Sequence, residues 1–117
     1  MMVRILFSQD KRGFVERRYE VPVEVVRDMF STYRETRNLN RAIDIVCRYV
    51  AETAAEEWCE KMGMRGNDEC IIGYIDKQGE RIMEQCELAV KAWLVNVYEC
   101  VKEDKLSSEC FNAPTRG

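Results

Sequence analysis

The chain has no histidine among its 117 residues. That removes the side chain best suited to proton transfer near neutral pH and the commonest nitrogen ligand for metals. Serine nucleophiles have little support, since Ser107 and Ser108 lie in a polar tail with no histidine base to activate them. No glycine-rich phosphate loop follows a strand. No run reaches the roughly 20 apolar residues that span a bilayer. The longest apolar run, Leu88–Val101, carries Lys91 and Glu99. Val3–Phe7 is too short for the core of a secretion signal, and Arg4 interrupts it. The expected setting is cytoplasmic or virion-associated, with no membrane partner.

Six cysteines are present, none spaced as Cys-x-x-Cys, which argues against a structural zinc site. In a mesophile's cytosol they are expected to be free core thiols, whereas hyperthermophile intracellular proteins are often disulfide-bonded. Fifteen Glu and twelve Arg against three Gln lean towards a hyperthermophilic archaeon or its virus, while six Met lean the other way. Charge is unevenly spread. Residues 1–41 carry nine Lys and Arg against six Asp and Glu, a net of +3, and residues 42–117 carry nine against fifteen, a net of −6. That polarity is too weak to identify a nucleic-acid binder on its own.

The N-terminus alternates with period two. Val3–Phe7 and Phe14–Val21 flank a short loop containing Asp10 and Gly13, which predicts a β-hairpin over 3–21. A turn centred on Lys11 pairs Val3 with Tyr19, Ile5 with Arg17 and Phe7 with Val15. Val3, Ile5, Phe7, Val15, Tyr19 and Val21 then share the core face. Pro22 suits a first helical turn, and Val25, Val26, Met29, Phe30 and Tyr33 make a stripe to Thr36. The phase breaks near Asn38, a good cap. A second helix over 39–62 carries Leu39, Ile43, Val46, Val50, Ala54 and Trp58. Gly63–Asp68 is the strongest turn in the chain. From Asp68, as cap, Ile72, Ile75, Gly79, Ile82, Cys86, Ala89, Trp93 and Val97 stay in phase. This predicts one long helix over 69–105, or two with a kink at Gly79. Leu88–Val101 is expected to be buried except for one narrow wet strip. Cys110 and Phe111 are expected to anchor the polar tail, 106–117.

The cysteines act as rulers. At 1.5 Å rise per residue, Cys86 and Cys100 are about 21 Å apart on one helix, and Cys47 and Cys59 about 18 Å, so neither pair can bond. If the helices turn back at Arg65–Gly66, facing residue numbers sum to about 131. Cys59 then meets Cys70 and Cys47 meets Cys86, leaving Cys100 for Cys110. A return starting at Gly79 instead pairs Cys59 with Cys86, Cys47 with Cys100 and Cys70 with Cys110. The glycine turn favours the first register, with free buried thiols as the other option.

Glu56, Glu57 and Glu60 are followed by Glu84 and Glu87 and then the apolar helix. Carboxylates at i, i+3 and i+4 share a helix face, and hard oxygens suit Mg²⁺. Over about 32 residues the pattern resembles the paired acidic signature of all-α nucleotide pyrophosphohydrolases, although Glu87 stands where that family has Asp. The resemblance implies Mg²⁺ ions held by these five glutamates and bridging a nucleoside triphosphate, and it requires the second cysteine register. Separately, a strand and two helices over Arg17–Val50, with Pro22 between, are similar to ribbon-helix-helix DNA-binding dimers, which insert a strand pair into the major groove. Here the outward strand residues are Glu16, Arg18 and Glu20, a poor reader of DNA. Arg27, Arg34, Arg41 and Arg48 recur every seven residues as a candidate phosphate-contacting stripe. Glu24–Arg27 and Asp44–Arg48 pairs on a solvated face account for the same spacing.

The expected fold is α+β, mainly α: one domain with an N-terminal β-hairpin packed on a bundle of three to four helices. The expected function is a small, non-catalytic interaction or structural protein, oligomeric and cofactor-free. Its expected partner is another protein or a second copy, with nucleic acid the other option, contacted through the N-terminal third. Mg²⁺ enters only with the enzyme alternative.

Overall fold

The computed structural model describes residues 1–9 and 13–102, with side chains described for 1–7 and 13–97. Strands β1 (Met2–Gln9) and β2 (Gly13–Glu20) precede helices α1 (Val23–Thr36), α2 (Leu39–Lys61) and α3 (Asp68–Lys102). The fold is α+β and mainly α, a two-stranded hairpin packed on three helices. The Lys11-centred turn, the Cys100–Cys110 pairing, the tail anchors and any extension of α3 beyond Lys102 lie outside the described residues.

The strands pair antiparallel in the register that alternation predicts, with Val3 opposite Tyr19, Ile5 opposite Arg17 and Phe7 opposite Val15. Val3, Ile5, Tyr19 and Val21 are buried, Phe7 and Val15 half-buried. A lone hairpin is marginal in water, so this one depends on what covers it. Burying each of the aliphatic side chains Val3, Ile5 and Val21 contributes roughly 1.5–3 kcal/mol. The hairpin also has a polar tie to α3. The Leu6 N–H donates to Gln85 Oε1 at 2.8 Å, and Gln85 Nε2 donates to the Leu6 carbonyl at 2.9 Å. One side-chain amide thus takes the place of a neighbouring strand along the outer edge of β1.

Helix boundaries follow cap chemistry. Pro22 stands just before α1 rather than in its first turn, and its carbonyl accepts from Val25 and Val26. Arg37 ends α1 in the left-handed region at φ 55°, and Asn38 Oδ1 caps α2 by accepting from the Arg41 N–H. For α3 the cap is Asn67, not Asp68: Asn67 Oδ1 accepts from the Cys70 N–H at 3.0 Å, and Asp68 falls inside the first turn. α3 runs unbroken through Gly79, which is buried. A Cβ there would come within 3.0 Å of Ile75 Cγ2, so glycine relieves a tight contact on the packed face.

α1 packs on α2, α2 on α3, and β1 on α3. The core gathers Met29 from α1, Ile43, Val46 and Val50 from α2, and Ile82, Val90 and Trp93 from α3. Leu88 and Val95, however, are 70% and 61% exposed. The dry face of α3 is therefore narrower than its composition predicts, because no described element covers its outer side.

Candidate functional site

The end of the α2–α3 hairpin is the most distinctive surface in the molecule. Gly63 and Gly66 supply the left-handed backbone the reversal requires, at φ +75° and +71°. The Met64 N–H closes back on the Cys59 carbonyl at 2.7 Å, and the Asn67 N–H on the Met64 carbonyl at 3.1 Å. Cys59 and Cys70 form a disulfide across the turn, with Cα atoms 6.0 Å apart. One turn inward the Trp58 and Tyr74 rings meet at 6.0 Å between centroids. On this rigid frame Trp58, 48% exposed, and Ile72, 59% exposed, face solvent, as do Met62 and Met64. Exposed acids surround them: Glu56, Glu57, Glu60, Asp68 and Glu69, against Lys61 and Arg65. The hairpin end thus displays four exposed apolar side chains among mostly acidic neighbours.

Behind it lies a polar junction with β2. The Tyr19 hydroxyl is pushed up to about 12, first by burial and then by Glu57 and Tyr74, with Arg17 opposing. Tyr74 is raised by burial and Glu57, again opposed by Arg17. An unfolded tyrosine ionises near pH 10, while folded Tyr19 holds its proton to about 12. In that window the folded state binds more protons than the unfolded one, so stability falls as pH rises. Urea unfolding of Tyr19→Phe between pH 9 and 12 is expected to show a shallower alkaline loss than the parent. Superimposable profiles would remove Tyr19 as the cause.

The disulfide settles how the two helices face each other, and with it the relation between the acidic clusters. Glu60 lies beside the start of α3. Glu84 is 14 residues beyond Cys70, about 21 Å along the axis. Glu57 lies near enough to Tyr19 and Tyr74 to act on their hydroxyls, and Glu87 accepts from Lys91 Nζ at 2.9 Å. The register that would bring Glu56, Glu57 and Glu60 to Glu84 and Glu87 is not the one the chain adopts. Among the described residues no group of three or more His, Cys, Asp or Glu is placed to hold a metal ion. Cys47 and Cys86 meet as buried thiols in the core, and the Cys86 thiol is driven far up by its hydrogen bond to Cys47 and by burial.

The four arginines do not form one stripe. The break at Arg37–Asn38 puts Arg27 and Arg34 on α1 and Arg41 and Arg48 on α2, all exposed. Arg48 is held by Asp44 at 2.6 Å. Glu24, Asp28 and Glu35 are exposed on α1 beside the first two. That mixture of signs does not concentrate phosphate-binding charge. β2 is paired within the chain, to β1.

Sequence reasoning missed the hairpin end because Trp58 and Ile72 read as the last members of core stripes. Met62 and Met64, flanking Gly63 with no helical phase to bury them, were the available signal. Comparison with known proteins finds no matching family, no matching curated protein and no matching solved structure. Among the described residues no helix is long and apolar enough to cross a membrane.

Proposed function

We propose that the protein is a small, non-catalytic interaction protein whose partner is another protein, docked on the end of the α2–α3 hairpin. The observation that carries this reading is the display of Trp58, Met62, Met64 and Ile72 on a turn locked by the Cys59–Cys70 disulfide. Such a surface loses little freedom on binding, and tryptophan and methionine are well suited to contact centres. The acidic neighbours call for a partner with an apolar patch edged by Lys or Arg. The same reading takes the protein to work inside the cell or on a virion, oligomeric and without a cofactor; an intracellular disulfide is in keeping with a hyperthermophilic archaeal or viral source.

The test compares the full chain with a Trp58→Ser/Ile72→Ser variant, each immobilised and exposed to extract of the producing cells. A protein retained by the parent and lost from the variant, with the variant's melting temperature unchanged, is the expected result. Equal retention by both chains would sink the reading. Mg²⁺-dependent release of pyrophosphate from a nucleotide, abolished by Glu84→Gln, would replace it with the enzyme alternative.

A further inference from the structure

The two edges of the β-hairpin are treated differently. On β1 the Leu6 N–H and carbonyl are taken by Gln85. Because Leu6 turns its backbone outward, it and its opposite residue Glu16 form a non-hydrogen-bonded pair. By alternation the N–H and C=O groups of Phe14, Glu16, Arg18 and Glu20 all point away from β1, along the free edge of β2. Among the described residues no hydrogen bond reaches those backbone groups. No helix is packed along β2 as α3 is along β1. Of Gly13–Arg18 only Val15 is even half-covered. Open edges are commonly guarded by charge, proline or a bulge; β2 has no proline and an unbroken register, and its guard is charge alone, Glu16, Arg17, Arg18 and Glu20, which a partner of matching order neutralises.

What this edge has is a self-complementary pair of charges, Glu16 and Arg18. The geometry points to a second copy of the chain as its occupant, with the two β2 strands pairing antiparallel about a two-fold axis at Arg17. That centre overlaps the whole of Phe14–Glu20. It places Glu16 of each copy opposite Arg18 of the other, two opposite-charge pairs within reach of each other's side chains. Centring on Glu16 or on Arg18 instead sets that residue against its own copy, like charge facing like charge. The one like-charge contact at the chosen centre is Arg17 with its copy, and Glu57 acts on the same ground as Arg17, beside Tyr19 and Tyr74. This inference rests on reading the chain as an interaction protein, and it names one partner and one surface within that reading.

The test is sedimentation equilibrium of the full chain across a range of concentrations. The parent is expected to be a dimer that dissociates on dilution. Glu16→Arg alone and Arg18→Glu alone each set like charges opposite one another twice and are expected to weaken the dimer about tenfold or more. The double exchange Glu16→Arg/Arg18→Glu restores both pairs and is expected to recover affinity to within about threefold. It also leaves a carboxylate directly opposite Arg4 in the ladder, so pairing within the chain is kept. Arg18→Pro, which removes an outward N–H without removing a β1–β2 hydrogen bond, is expected to give a monomer with an unchanged circular dichroism spectrum. A parent that is monomeric at every concentration overturns the inference. So does a dimer indifferent to all four variants. A dimer lost instead in Trp58→Ser/Ile72→Ser would also overturn it, by moving the self-contact to the hairpin end. In each of these cases extract retention still judges the wider reading by itself.

Discussion

Replacing Trp93 with alanine is expected to lower the free energy of unfolding by about 3–5 kcal/mol. Trp93 has no exposed surface and is the largest fully buried side chain. Its ring lies 6.2 Å from that of Phe30, so one residue of α3 anchors the packing of α1. Deleting it removes apolar contact and leaves a cavity whose walls come from separate elements and collapse only in part. The ring also carries a cost. Among the described residues the buried Nε1 has no hydrogen-bond partner, and an unmet donor of this kind costs about 1–3 kcal/mol. Trp93→Phe keeps most of the ring contact and deletes that donor, so its loss is expected to stay under about 2 kcal/mol. Urea unfolding followed by far-ultraviolet circular dichroism separates the two. If alanine costs less than about 1 kcal/mol, Trp93 is not the hub of this core.

Removal of the Cys59–Cys70 disulfide is expected to cost about 3 kcal/mol. The bond closes a loop between residues 11 apart in sequence, and loop-closure entropy at that length gives about that value. The corresponding fall in melting temperature is on the order of 10 °C. Cys59→Ala/Cys70→Ala should be compared with the oxidised parent by calorimetry. The core thiols Cys47 and Cys86 are left intact, so the comparison isolates the hairpin end. A shift of only one or two degrees would mean that the two glycines and the Asn67 cap already hold the turn closed.

Much of this architecture was legible from residue order, where a periodic signal coincided with a specific chemical device. The hairpin register followed from strict alternation on both sides of a short loop. The facing of α2 on α3 followed from cysteine spacing and the Gly63–Gly66 turn. Legibility failed where burial depends on what lies opposite. Leu88 and Val95 belong to the most apolar run in the chain, yet they face outward because, among the described elements, α2 and the hairpin cover only the other sides of α3. Trp58 and Ile72 continue the core stripes beyond the point where a third layer exists to receive them. The Asn67 cap was displaced by one residue, because Asn and Asp side by side offer the same acceptor. The Gln85 clamp has no mark in sequence at all: a glutamine on a helix becomes a strand-edge partner only once β1 lies beside it.

That clamp has a consequence for how large an assembly can grow. If both edges of the hairpin accepted strands, each added chain would present a new acceptor and the sheet would lengthen without limit, in the manner of a fibre. With Gln85 occupying Leu6, joining two chains through β2 leaves a β1 at either end, each already stopped. Under the proposed β2 pairing, one glutamine on a helix would end the sheet at four strands, giving a closed particle instead of a polymer.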